Sequence, residues 1–177
     1  PFILQAGVKT GLKVRYRNPH EVGADRIAGA IGAMRRHPRE DLLVVDCGTA
    51  TTIDVVTAAA DYLGGVILSG VGVSAAALAS NTAKLPSVEI ARPESVLGRT
   101  TIESIQSGLF HGHIGAIRHI VAGLQREVFS GGKPRVIGTG GFARMFEAEA
   151  LFDEIAPELV LWGLKHADDL NREAAAE

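Results

Sequence analysis

The apolar residues of this chain follow two patterns, one typical of β-strands and one typical of helices. Runs of Val, Ile and Leu at residues 42–47 and 51–57 predict strands, because β-branched side chains suit a pleated, half-buried surface. Shorter apolar runs beside glycines predict further strands at residues 2–4, 12–16 and 66–68, and another that begins at Arg135. Most of the predicted strands therefore lie before the middle of the chain.

Apolar residues at helical spacing predict five helices. The longest begins at a capping box, in which Thr100 is the N-cap and Glu103 follows three residues later. The predicted helices cover residues 21–36, 75–81, 101–130, 142–150 and 161–173. Strand pairs followed by alternating strands and helices indicate an α/β domain with a mixed sheet and flanking helices.

Composition is that of a well-buried globular protein. Of the 177 residues 46% are apolar and the mean hydropathy is +0.17, which excludes the disordered class. The net charge is −2 and no long basic run exists, so no nucleic-acid partner is expected. The single cysteine, Cys47, excludes an internal disulfide and fits a reducing cytoplasm, where we expect the protein. No apolar run approaches membrane-spanning length, so no membrane partner is expected.

The bend between the two longest apolar runs carries candidate chemistry. Gly48 permits a sharp reversal, and the free amides of such a turn form a concave nest that binds anions. Asp46 ends the first run at the mouth of this nest, where its carboxylate is placed to hold a cation. An ordinary hairpin with a hydrophilic turn explains this stretch equally well when it is taken alone.

Four motifs, in this order, resemble those of the type III pantothenate kinases. They are Gly-Ala-Asp-Arg at residues 23–26, Asp-Cys-Gly-Thr-Ala-Thr-Thr at 46–52, the stretch 101–108, and Gly-Thr-Gly-Gly at 138–141. Residues 16–19 and 81–86 also look like that family. Each motif alone is weak, but their order and spacing along the whole chain make the combination specific.

The resemblance implies a ribonuclease-H-like, actin-like ATPase fold of two such domains, working as a homodimer. On this basis residues 1–40 are expected to be a remnant of the first domain with a connecting helix, and residues 41–177 the second domain. The implied reaction transfers the γ-phosphoryl group of ATP to pantothenate, which gives 4'-phosphopantothenate in the first step of coenzyme A biosynthesis. The implied cofactors are ATP as phosphoryl donor, a monovalent cation (K⁺ or NH₄⁺) and Mg²⁺.

The resemblance also implies roles for individual residues. Asp25 resembles the general base that accepts the proton of the pantothenate hydroxyl, a task that suits a carboxylate. Asp46 resembles the ligand of the monovalent cation. Contacts with pantothenate are implied for Tyr16, Gly23, Ala24, Arg26 and Thr101, and contacts with ATP for Gly48, Thr49 and Gly140. The planar guanidinium of Arg26 suits the carboxylate of pantothenate.

Alternatives remain open on the sequence alone. An acid such as Asp25 in the first turn of a helix is favoured by the helix dipole whatever the function. The family begins with a phosphate-gripping turn of Asp-x-Gly-Asn-Thr type, which this chain lacks, so we expect an incomplete first domain and an inactive fragment. The alternative functions are a non-catalytic, actin-fold regulatory protein of the transcriptional accessory factor type, or an actin-like kinase or phosphatase with another acceptor.

Overall fold

The structure is a computed structural model that describes residues 2–5 and 7–176. A six-stranded mixed sheet has the order β1-β4-β3-β2-β5-β6. The strands are β1 Lys13–Val14, β2 Leu42–Cys47, β3 Ala50–Val56, β4 Asp61–Ser69, β5 Arg135–Thr139 and β6 Glu154–Ile155. The helices are α1 Ala24–Arg36, α2 Val71–Ser80, α3 Thr101–Glu127 and α4 Leu159–Ala176, with 3₁₀ helices at Pro19–Glu21 and Ala143–Glu149.

Strand directions confirm the predicted fold class. Strands β2, β3 and β4 pair antiparallel, while β5 runs parallel to β2 and β6 parallel to β5. The short β1 runs parallel to β4 at the far edge. An antiparallel meander extended by parallel strands, with helices packed on it, is the mixed α/β arrangement of a ribonuclease-H-like domain.

Strand β2 separates two apolar layers. Its side chains alternate between the faces of the sheet, so Leu43 and Val45 pack in one layer while Leu42 and Val44 pack in the other. The first layer includes the middle of α3, and the second includes α1 and the start of α4. By the same alternation Asp46 lies on the face of α1, whereas Cys47 joins the α3 layer and is 1% exposed, as predicted. Burial and the Asp46 carboxylate raise the pKa of the Cys47 thiol to about 12.

Helices α1 and α4 cross with their backbones in contact. A Cβ at Gly163 would overlap the carbonyl oxygen of Ala28, and a Cβ at Gly32 would overlap that of Leu159. Close approach of this kind requires glycine on both helices. Helix α1 thus packs against the sheet and against α4. The proposed domain boundary at residue 40 stays a prediction.

Several boundaries differ from those predicted. Helix α2 begins at residue 71 instead of 75, because its N-cap Gly70 donates its N–H to the carbonyl of Thr49 (3.0 Å) and starts the helix against the hairpin turn. Residues 2–5 form no strand, and the segment predicted as a helix over 142–150 is a 3₁₀ helix. Within residues 2–5 and 7–176, no helix combines the length and apolar character needed to cross a membrane.

Candidate active site

The carboxyl ends of two parallel strands meet at one edge of the sheet. Asp46 of β2 is the register partner of Thr139 of β5, and both strands then run into glycine turns. In open α/β sheets, ligands bind in the crevice outside the carboxyl ends of the strands. The predicted nucleotide-binding turns therefore lie next to each other.

Gly140 is pressed against β2. Its φ of +86° lies in the left-handed region, and a Cβ there would overlap Asp46 Oδ1 and lie 2.7 Å from the carbonyl carbon of Cys47. The N–H of Phe142 donates to the Cys47 carbonyl (3.0 Å), which fixes the turn in this position. Backbone conformation and space both require glycine at position 140.

The hairpin turn between β2 and β3 is tighter than the sequence suggests. The N–H of Gly48 donates to the carbonyl of Ala50 (3.1 Å), so this amide is not free to bind an anion, contrary to the expected nest. The Thr49 side chain is exposed. The hydroxyl of Thr49 is thus an accessible group that this turn offers to a ligand.

Asp46 carries an uncompensated charge. Its side chain is half-buried, and across residues 2–5 and 7–176 no hydrogen bond or ion pair reaches its carboxylate. Burial raises the pKa of Asp46, and the carboxylates of Asp25 and Asp54 raise it further. A bound cation would relieve this repulsion.

Asp25 lies in the first turn of α1, on the same face of the sheet as Asp46. Its carboxylate is exposed, and its Oδ1 accepts a hydrogen bond from the backbone N–H of Arg26 (2.9 Å). A Cβ at the N-cap Gly23 would lie 2.5 Å from this oxygen, so a side chain there would shift the Asp25 carboxylate. The Asp25 carboxylate helps to raise the pKa of Asp46, so the predicted base and the predicted cation ligand lie within electrostatic range of each other.

Comparison with known proteins identifies the family. The type III pantothenate kinase family model matches residues 1–123. The type III pantothenate kinase of Legionella pneumophila (strain Corby) is 53% identical over 171 residues, which cover 97% of this chain and 67% of that protein. Type III pantothenate kinase 1 of Francisella tularensis subsp. holarctica (strain OSU18) is 45% identical, also with 97% of this chain and 67% of that protein covered. The chain belongs to the type III pantothenate kinase family.

A solved structure supports the fold. The structure described as a Baf family transcriptional activator from Campylobacter jejuni superposes with a TM-score of 0.64 and covers 92% of this chain and 69% of that one. At 22% sequence identity this likeness concerns the fold alone. Membership of the type III pantothenate kinase family therefore rests on the sequence relatives.

Sequence reasoning missed one acidic residue of the cluster. Asp54 on β3 is 2% exposed, and its Oδ1 accepts a hydrogen bond from Arg26 Nε (2.9 Å). The Arg26 guanidinium, predicted to bind pantothenate, is thus already paired within the chain, and its contact with substrate stays a prediction. An acid among Ile53, Val55 and Val56 was the signal that could have revealed this pair, because a buried charge needs a partner.

Of the other residues predicted to contact pantothenate, Tyr16 lies near Arg26, whereas Ala24 and Thr101 are exposed at the starts of helices. The half-buried ring of Tyr16 lies beside Gly64, whose Cβ would be 2.9 Å from Tyr16 Cε2, and Tyr16 is close enough to Arg26 to affect its pKa. Ala24 is the exposed first residue of α1. Thr101 is the exposed first residue of α3, and no hydrogen bond of the described residues joins it to the cluster.

A cavity of about 690 Å³ lies away from the carboxylate cluster. It is bounded by the second half of α1, by α4 and by the segment around Pro157, and its lining includes Arg35, Arg144 and Trp162. Neither Asp25 nor Asp46 lines it. We place the candidate site at the strand ends, because the motifs that contain Asp25, Asp46 and Gly140 meet there and not in this cavity.

Proposed function

We propose that the protein is an ATP-dependent kinase that transfers the γ-phosphoryl group to pantothenate, giving 4'-phosphopantothenate for coenzyme A biosynthesis. Family membership supports the reaction, and the observation that carries it to these residues is that Asp46 meets the Gly140 turn at the carboxyl ends of β2 and β5, on the face of the sheet that α1 also covers. The chain spans about two thirds of the length of its Legionella relatives, so the proposal concerns the complete gene product.

Asp25 is the proposed general base. Phosphoryl transfer depends chiefly on positioning and on charge stabilisation, and a carboxylate can accept the proton of the attacking hydroxyl. The exposure of Asp25 and the hydrogen bond from the N–H of Arg26, which orients its carboxylate, support this role. Tyr16 and Arg26, with Gly23 and Ala24, are proposed to contact pantothenate, as is Thr101.

Asp46 is the proposed ligand of a monovalent cation, K⁺ or NH₄⁺. Its unpaired, half-buried carboxylate and its raised pKa fit a site that binds a hard cation. Thr49 and the backbone at Gly48 and Gly140 are proposed to contact ATP, and Mg²⁺ is proposed to bind mainly to phosphate oxygens and water. The cation would supply positive charge beside the phosphates.

A cytoplasmic homodimer is proposed as the working assembly. The side of α3 that carries Gly108, Gly112 and Gly115 is open, since no atom beyond the neighbouring backbone of the helix lies within 4 Å of a Cβ built at any of the three. Such a smooth side can accept a second backbone closely. Light scattering on the complete gene product tests this part of the proposal, and a monomeric mass at micromolar concentration would contradict it.

Pantothenate-dependent release of ADP tests the function. We expect the complete gene product to hydrolyse no ATP alone and to release ADP when pantothenate is supplied, faster in K⁺ than in Na⁺. Release of ADP with another alcohol but not with pantothenate would favour a different acceptor. ATP binding without turnover would support the regulatory alternative. The sequence relatives, which are named as pantothenate kinases, speak against that alternative.

A further inference from the structure

A charged network is buried in the sheet beside the candidate site. Asp54 Oδ1 accepts hydrogen bonds from the Tyr62 hydroxyl (2.6 Å) and from Arg26 Nε (2.9 Å), and Oδ2 accepts one from the Thr52 hydroxyl (3.1 Å). Burial and the Asp54 carboxylate raise the pKa of Tyr62, so its hydroxyl remains a donor. Several donors of this kind offset the cost of removing the carboxylate from water.

The Arg26 side chain is fixed by this network. Its Nη2 also lies 2.6 Å from Asp54 Oδ1, although that contact lacks hydrogen-bond geometry. Its guanidinium carbon lies 5.9 Å from the centre of the Tyr62 ring, within the range of a cation–π contact. Only 9% of the Arg26 side chain is exposed, so the side chain is held inside the fold.

Polar support for the first turn of α1 is sparse, although its Ile27 packs against the buried layer. Its N-cap Gly23 makes no side-chain hydrogen bond, and the first helical bond, from the Ile27 N–H to the Gly23 carbonyl, is 3.2 Å long. The backbone N–H of Arg26 holds Asp25 Oδ1 at 2.9 Å. Arg26 therefore connects two points, because its side chain is bound to the sheet and its amide orients the neighbouring carboxylate.

We propose that Asp54 is a positioning residue for the kinase reaction, which anchors Arg26 to the sheet and thereby holds the first turn of α1 and its Asp25 carboxylate in place. This inference rests on the proposed function of Asp25. Asp54 itself touches no reacting group, and it acts through Arg26. A displacement of about 1 Å in a catalytic group can cost about 100-fold in rate, so loss of the anchor should appear in kcat.

Two variants of the same network separate positioning from simple structural support. Asp54→Asn removes the charge that binds Arg26, whereas Tyr62→Phe removes one hydrogen bond to Asp54 and keeps the charge pair and the aromatic ring. Both variants lose buried polar contacts, so both are expected to unfold at lower temperature. Only Asp54→Asn should lose the anchor, so kcat should fall at least about tenfold in that variant and stay within about threefold of wild type in Tyr62→Phe.

The measurements are kcat and the two KM values of the complete gene product, at a temperature where circular dichroism shows every variant folded. For Asp54→Asn we expect a lower kcat, a raised KM for pantothenate and an unchanged KM for ATP, because Thr49 and Gly140 lie outside the network. Asp169→Asn, which breaks an exposed Lys165–Asp169 pair (2.6 Å) on α4, is the matched acid-to-amide control and should match wild type.

These measurements distinguish failure of the positioning role of Asp54 from failure of the proposed kinase function. Wild-type protein without pantothenate-dependent turnover would remove the proposed function itself. Active wild-type protein, with Asp54→Asn at wild-type kcat, would overturn the positioning role and leave the function standing. Equal losses of kcat in Asp54→Asn and Tyr62→Phe would also overturn it, since they would indicate general destabilisation. If Asp54→Asn does not fold, Asp54→Ser, which removes the same charge with a smaller side chain, replaces it, with the same expected pattern in kcat.

Discussion

Replacement of Gly140 by alanine tests the contact between the two glycine turns. The left-handed φ of +86° costs a residue with a Cβ about 1–2 kcal/mol. The added methyl group would overlap Asp46 Oδ1 and lie 2.7 Å from the carbonyl carbon and 2.8 Å from the nitrogen of Cys47. Because backbone atoms of β2 cannot rotate away, overpacking adds about 1–3 kcal/mol. The expected loss in the free energy of unfolding is therefore about 2–5 kcal/mol.

The neighbouring glycine supplies the control. Gly141 has no positive φ, and a Cβ built on it has no atom within 4 Å. Gly141→Ala is therefore expected to change the free energy of unfolding by no more than about 0.5 kcal/mol. Urea unfolding of both variants of the complete gene product, followed by circular dichroism, measures the difference.

Activity gives a second measurement on the same pair. Since the methyl group of Gly140→Ala must displace Asp46, the concentration of K⁺ required for half-maximal turnover should rise in that variant and not in Gly141→Ala. The reasoning is refuted if the two variants have equal stability and equal dependence on K⁺. That result would mean that the turn after β5 does not press against Asp46.

Three further predictions concern other parts of the fold. Saturating K⁺ should raise the melting temperature of the wild type by mass action but not that of Asp46→Asn, and a shift common to both would contradict a cation site at Asp46. Gly163→Ala, whose methyl group would overlap the Ala28 carbonyl, should lower the melting temperature, whereas Gly123→Ala on α3, with nothing within 4 Å, should leave it unchanged or slightly raised; thermal unfolding checks both. Burial lowers the pKa of His113, so the unfolded chain binds the proton more readily, and stability should decline as the pH falls below about 6.5; unfolding curves at several pH values should show a weaker decline in His113→Gln.

Local patterns predicted the elements around the site well. The β2–β3 hairpin follows from two β-branched runs separated by a turn at Gly48, and both strands are present within a residue or two of the predicted bounds. The N-cap at Thr100 also follows from local sequence, and its hydroxyl accepts the Glu103 N–H (3.2 Å) as a capping box requires. These features depend on residues close together in the chain.

Contacts between residues far apart in the chain could not be predicted from local sequence patterns. The pairing of Arg26 with Asp54 joins positions 28 residues apart, and no local period encodes it. The start of α2 is set by the hairpin turn that Gly70 meets and not by a capping side chain of its own. Leu161 and Trp162 on α4 are apolar and yet 65% and 58% exposed, because Leu159 and Ala167 face the core instead.

The most direct test of the central claim is the turnover of Asp25→Asn in the complete gene product. General-base catalysis is worth about 10²–10⁴-fold, so we expect kcat for pantothenate phosphorylation to fall by that factor. Calorimetric binding of ATP and the melting temperature should stay close to wild type, because the Asp25 carboxylate is exposed and lies outside the phosphate turns. A variant that phosphorylates pantothenate at the wild-type rate would contradict the assignment of Asp25 as the base.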